Sequence, residues 1–287
     1  MKGTWEARIN LGCNEKNGCT VLTKNEHEGP LVVQKAFYPE EVAHIYLLHP
    51  PGGIAGCDRL ETKVSLGPRS HVLLTTPGST KFYRTEGDLT SLVKQTYAIA
   101  SDASLEILPQ ANIYFKGTHT KVATDIHVAP KGRFFFRDVA ICGSPAHGAD
   151  FLGSAFLNTI SVWRDVPLAP LDHGVLVDKP SQETLQLREV SRVDGNRDLL
   201  ALAGLNGCQC IGTVLAAPAT PQDLELARMA LADYKGRGGA TLLGDLLVIR
   251  LLDVANEPLE HMITCLWLKL RPSLLGRKPV IPRVWAT

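Results

Sequence analysis

Apolar and polar residues alternate with a period of two over long parts of the first two-thirds of the chain. Trp5, Ala7, Ile9 and Leu11 interleave with Thr4, Glu6, Arg8 and Asn10, and Val122, Thr124, Ile126 and Val128 interleave with Lys121, Ala123, Asp125 and His127. Such alternation puts one set on each face of an extended backbone, so both segments read as half-buried strands. Apolar runs at 31–33, 71–74, 105–108, 133–136 and 139–141 add further strands, with Gly, Pro, Asn and Asp between them at short intervals. No sequence repeat with a period of about 20–50 residues stands out.

The period changes late in the chain. Thr220-Pro221-Gln222-Asp223 offers an N-cap, a proline at the first helical position and an acid in the first turn. Leu224, Ala227, Leu231 and Tyr234 then follow helical spacing up to the glycines at 236, 238 and 239. Pro258 opens a second helix carrying Leu259, Met262, Ile263, Leu266, Trp267 and Leu270 on one stripe, and Pro272 is expected to stop it. Residues 240–252 between the helices read as one strand. The expectation is a mostly β fold forming a single domain over 1–287, β-rich over 1–215, with a mixed α/β cap over 216–287.

Composition removes several function classes. The net charge is +1, from 30 basic and 29 acidic residues, which leaves no basic field for nucleic acid. No apolar run approaches the ~20 residues of a membrane span, and residues 1–6 carry no apolar signal core, so a cytoplasmic, membrane-free protein is expected. The 7 cysteines are odd in number and scattered, which fits reduced thiols better than a disulfide framework. Cys208 and Cys210 read as core-facing neighbours in preference to a soft-metal pair.

Enzyme signatures are sparse. There is no Gly-x-Ser-x-Gly elbow and no His-Glu-x-x-His helix. Pro77-Gly78-Ser79-Thr80-Lys81 lacks the leading glycine and residue order of a phosphate loop. Asp172-His173 are adjacent, so on a strand they point apart and make a weak dyad. The densest special chemistry is His49-Pro50-Pro51-Gly52-Gly53-Ile54-Ala55-Gly56-Cys57-Asp58, where prolines fix φ and glycines free it around one acid. The bland reading of Asp58 is an Asx-turn or a surface pair with Arg59, and that of His49 is a turn cap. A second polar bend, Thr75 to Arg84, sets four hydroxyls beside Lys81, Tyr83 and Arg84, and its hydroxyls can line a wet passage. Glu106 lies inside the apolar strand Leu105–Leu108, where the pattern favours a solvent-facing side chain. One functional reading of these residues is a β-scaffold enzyme with Asp58, Glu106 and His49 as acid–base groups.

Taken in order, these segments resemble the urease accessory protein D family (UreD, called UreH in some systems). The resemblance rests on 30–34 with Phe37-Tyr38-Pro39-Glu40, on Leu47 to Asp58, on Thr76 to Arg84, on Leu105 to Gln110, and on Arg271-Pro272 with 279–285. It implies a β-helix-like stack of strands in two layers with two helices in the C-terminal third. It implies a non-catalytic, chaperone-like factor in urease maturation. Its partners would be the urease apoprotein and accessory proteins F and G, and it would aid nickel delivery, with no tightly bound cofactor and only transient Ni2+. Carried over position by position, it implies a nickel passage with Asp58, Thr80 and Glu106, Asp58 being a transient metal stop. His49, Pro50, Pro51, Gly52, Gly53, Gly56, Pro77, Gly78, Lys81, Tyr83 and Arg84 would be the structural turns. The chain departs from the family pattern at Cys57, Ala111, Arg137-Asp138, Ser144 and Ala149.

Overall fold

The computed structural model describes residues 5–87, 89–144, 150–164 and 184–286. Ala149 and the Asp172-His173 pair lie outside the described residues.

Strands β1 (Glu6–Lys16) and β2 (Cys19–Glu28) pair antiparallel, and β3 (Ala36–Phe37) leads into β4 (Ala43–Tyr46). From there the chain winds back and forth between two sheets. It runs through β5 (Arg59–Leu66), β6 (His71–Thr75), β7 (Thr80–Phe82), β8 (Ser91–Ile99), β9 (Ser104–Leu108), β10 (Asn112–Tyr114), β11 (His119–Val128), β12 (Arg133–Cys142) and β13 (Ala155–Arg164). Then come β14 (Thr184–Asp194), β15 (Cys210–Ala217), helix α1 (Pro221–Leu231), β16 (Arg237–Leu243), β17 (Leu246–Asp253) and helix α2 (Asn256–Leu275).

A 7-stranded sheet has the order β14-β13-β11-β8-β5-β1-β2, and a 10-stranded sheet runs β16-β17-β15-β12-β9-β6-β4-β3 with β7 and β10 beside it. The β1·β5, β5·β8, β8·β11 and β11·β13 pairs are parallel, as are β4·β6, β6·β9 and β9·β12. Successive strands thus stack as rungs, a β-solenoid-like pile of about 4 turns, as the resemblance implied. At one corner Ile54, Phe82, Tyr114 and Cys142 pair in a single parallel row, so the rungs do repeat. The sequence conceals this because what recurs is a bend and an inward position filled by different residues.

Two cores result. The inner faces of the sheets enclose Ile9, Leu11, Val64, Leu74, Ile107 and Phe136, while α1 and α2 cover the other side of the 10-stranded sheet with Ile263, Leu266, Trp267 and Leu270. The inward set of β1 is the alternating set Ala7, Ile9 and Leu11. Helix α1 starts as its sequence predicts: Thr220 and Asp223 form a capping box with Pro221 in the first turn. Three boundaries differ from expectation. Residues 240–252 are a hairpin, because Gly244 turns at φ 62° between β16 and β17. Helix α2 begins at Asn256 and runs past Pro272 to Leu275. Pro272 gives up the bond its N–H would make to the Leu268 carbonyl, but burial of Leu274 and Leu275 holds the last turn until Gly276 caps it in the left-handed region. Third, β15, β16 and β17 continue the large sheet, so the C-terminal third shares the β scaffold.

Candidate functional site

Between the two sheets lies a cavity of about 330 Å3. Its mouth is framed by two bends: His49, Gly52 and Gly53 on one side and Thr76 to Lys81 on the other. It runs inward past Thr62, Gln95 and Tyr97 of the 7-stranded sheet to Asn112 and Asp138.

The first bend is closed by the Gly52 N–H donating to the His49 carbonyl at 2.9 Å, with Gly52 at φ 77°. Ile54 then joins the pile, donating to Lys81 O at 2.7 Å and accepting from Tyr83 N at 2.8 Å. Gly53 must lack a side chain because a Cβ there would stand 2.1 Å from the Tyr83 ring. In the second bend two of the four hydroxyls are spent on the fold. Thr75 Oγ1 donates to Leu108 O at 2.6 Å, and Thr76 Oγ1 accepts from Gln110 N at 2.9 Å. Ser79 and Thr80 also line the cavity, and among the described residues neither hydroxyl has a hydrogen-bond partner.

His49 lines the mouth, where burial lowers its pKa against the opposing pull of the Asp58 carboxylate. Its carbonyl, and not its ring, closes the turn. Asp58 is not on the cavity wall. Its Oδ1 accepts from Trp5 N at 3.0 Å and its Oδ2 from Ala55 N at 2.9 Å, an Asx-type clamp between the bend and the start of β1.

Glu106 lies on the opposite side of β9 from the cavity and is 2% exposed, so the solvent-facing reading of that strand is corrected. Alternation does separate the faces of β9, but helices cover the second face as well. There Trp267 Nε1 donates to Glu106 Oε2 at 2.7 Å, and Arg271 Nε donates to the same oxygen at 2.9 Å. Arg271 also donates to Glu40 Oε1 at 2.7 Å, and Glu40 meets His44 Nε2 at 2.9 Å. Burial raises the Glu106 pKa, opposed by the Arg271 guanidinium. For Glu40, burial also acts upward, but Arg271 and His44 outweigh it and hold the carboxyl below its ordinary value. The structure therefore does not gather Asp58, Glu106 and His49 in one cavity. Of Asp58, Thr80 and Glu106, only Thr80 lines it.

The acid on the cavity wall is Asp138, which the sequence offered only within a departure from the family pattern and not as a site residue. Asp138 accepts from Asn112 Nδ2 at 3.0 Å and from Asn158 Nδ2 at 2.7 Å. Deep burial pushes its pKa up to about 6, with the two amides opposing. It keeps some accessible surface despite that depth, because the surface faces the cavity. The missed signal is a charged pair, Arg137-Asp138, inside an otherwise apolar strand, since charges are not buried without compensation. Arg137 faces the other way and donates to Pro109 O at 2.7 Å and to Glu260 Oε2 at 2.7 Å.

Chemically, the cavity offers a neutral-leaning imidazole at its mouth, free hydroxyls below it and one titratable carboxyl inside. Such oxygen and nitrogen donors suit a hydrated divalent cation. Among the described residues no three His, Cys, Asp or Glu side chains converge as a metal cage. Cys208 and Cys210 are both buried, with burial raising the Cys210 thiol to about 12. No described helix is long and apolar enough to cross a membrane.

Residues 6–286 match the sequence family described as UreD urease accessory protein. The chain is 38% identical over 288 residues to a urease accessory protein UreD of Klebsiella pneumoniae subsp. pneumoniae, covering 100% of this chain and 97% of that protein. It is 39% identical over 284 residues to the protein of that name from Pseudomonas putida strain W619, covering 99% and 95%. For Citrobacter koseri the identity is 36% over 285 residues, covering 99% and 92%.

Proposed function

The chain belongs to the UreD family of urease accessory proteins, and on that footing we propose that it serves urease maturation as a non-catalytic scaffold with an internal route for nickel. The observation that carries the route is the cavity between the sheets with Asp138 on its wall. In this reading the partners are the urease apoprotein and accessory proteins F and G, in the cytoplasm, where the thiols of the 7 cysteines stay reduced.

Nickel is cargo and has to leave again. A lone carboxyl with hydroxyls and water holds Ni2+ weakly, whereas a full His/Cys cage would retain it. His49 and Thr80 act at the mouth and Asp138 is the inner stop. Asp58 contributes by clamping the bend that frames the mouth, in place of direct contact. Glu106 fixes α2 on the back of the sheet whose front lines the route.

The test is reconstitution of urease activation from the apoprotein, accessory proteins F and G, nickel and this chain. Activation should fall when the chain is omitted, and unchanged activation would overturn the maturation role. An Asp138→Ala variant that still joins the complex should load less nickel by atomic absorption. Normal loading with that variant would remove Asp138 from the route while leaving the scaffold role standing.

A further inference from the structure

The outer face of the 7-stranded sheet carries a regular charge pattern that the cavity does not use. Strand register places Arg59, Leu92, Lys121, Leu157 and Arg192 side by side in one row across β5, β8, β11, β13 and β14. Arg59, Lys121 and Arg192 are exposed, and Leu92 between the first two is 37% exposed. Lys94 in the next row and Arg188 beyond it add to the same sign. Among the described residues none of these five cations makes an ion pair. The nearby acids have closer partners: Glu6, beside Arg59 in the register, is 3.4 Å from Arg8, Glu61 is 3.1 Å from Lys63, Asp198 near Arg192 is 2.7 Å from Arg197, and Asp125 accepts from the Trp163 indole at 3.4 Å. In a chain of net charge +1, cations thus outnumber the acids Glu6, Glu61 and Asp125 on this face. The face holds a depression of about 310 Å3 whose charged lining is Arg8, Arg59, Lys94 and Lys121 against Glu6 and Glu61, with Leu92 among them.

We propose that this row is a docking surface for an acidic amphipathic helix of a partner protein, laid across the strands. The spacing selects the occupant. Neighbouring strands are about 4.8 Å apart, so cations two strands apart recur about every 10 Å. A helix returns to the same face every seven residues, a rise of about 10.5 Å. Acids at i, i+7 and i+14 therefore meet Arg59, Lys121 and Arg192, and apolar residues half-way between them meet Leu92 and Leu157. An extended chain covers about 10 Å in three residues, and residues i and i+3 of a strand point to opposite faces. The leucines also separate this row from a plain polyanion site, since a phosphate backbone has nothing to set against them. The surface is independent of the nickel route and stands whether or not that reading holds.

The experiment uses the full chain and two synthetic helical peptides of about 20 residues and identical composition. One carries Glu at every seventh position with Leu three or four residues later. The other has the same glutamates distributed around the helix. The in-register peptide should bind at least about tenfold more tightly by fluorescence anisotropy, and protect β8, β11 and β13 in a hydroxyl-radical footprint. The combination Arg59→Glu, Lys121→Glu and Arg192→Glu should abolish that preference and transfer it to a peptide with Lys in place of Glu. Should the triple variant fail to fold, Lys121→Glu alone should weaken the in-register peptide and leave the control unchanged. Equal affinity for both peptides, or equally tight binding of a DNA duplex or phosphatidylserine vesicles, overturns the proposal.

Discussion

Replacing Asp138 with Asn should make the protein more stable at neutral pH and leave it unchanged in acid. In the folded chain the carboxyl titrates at about 6 and in an unfolded chain near 3.8. The folded state therefore holds this proton more tightly than the unfolded state does. The stability linked to it is complete below pH 3.8, declines as pH rises, and is gone above pH about 6. At about 1.4 kcal/mol per pKa unit the full difference is at most about 3 kcal/mol, an upper value because water in the cavity screens the charge. Asparagine removes the titration. Its amide replaces an oxygen that now accepts from Asn158 Nδ2, so Asn158 turns its own amide over and presents Oδ1, a buried acceptor left without a partner in the native chain. Unfolding entropy scales at about 2 cal/mol/K per residue, so in this chain of 287 residues the gain corresponds to about 5 °C in Tm. Thermal unfolding of both proteins between pH 4 and pH 8 provides the assay. A stability difference independent of pH, or a variant that is less stable at pH 8, refutes the reasoning. A side chain whose removal stabilises the fold is one kept for something other than stability.

Three further outcomes follow from contacts described above. Arg271→Met should strip compensation from Glu106 and cost about 3–5 kcal/mol in denaturant unfolding, as for other broken buried ion pairs. Asp58→Ala should cost on the order of 1–2 kcal/mol and speed hydrogen exchange at the Trp5 and Ala55 amides it now accepts from, while cavity-facing amides of β9 stay protected. Gly53→Ala should cost about 1–3 kcal/mol by overpacking against Tyr83, and Tyr83→Ala in the same chain should recover most of that loss.

Much of the architecture was legible because its signals are local. The alternation in β1 and β11, the capping box at Thr220 and the apolar stripe of α2 each depend on residues within one element. The rest depends on partners far along the chain. Burial of Glu106 follows from α2, which supplies Trp267 and Arg271 more than 150 positions later. A period-two pattern reports which residues share a face, and cannot report that both faces are covered. Within β12 the apolar runs on either side of Arg137-Asp138 were readable as strand, but the pair between them marked the interior acid only once Asn112 and Asn158 were seen to converge on it. The repeat was hidden for a related reason. Ile54, Phe82, Tyr114 and Cys142 occupy equivalent places with no shared chemistry beyond being apolar, so register reveals what composition cannot.

The Arg271 hub has a mechanical consequence. A pile of parallel rungs contacts mainly its nearest neighbours, so on its own it would unwind one rung at a time from either end. Arg271 grips Glu40 ahead of β4, Glu106 in β9 and the Lys278 carbonyl together. Helix α2 therefore acts as a tie bar across the stack, and force applied at the first rung is shared with the third. Pulled in an optical trap, the native chain should release these rungs in one step, and an Arg271→Met chain should release them as a staircase.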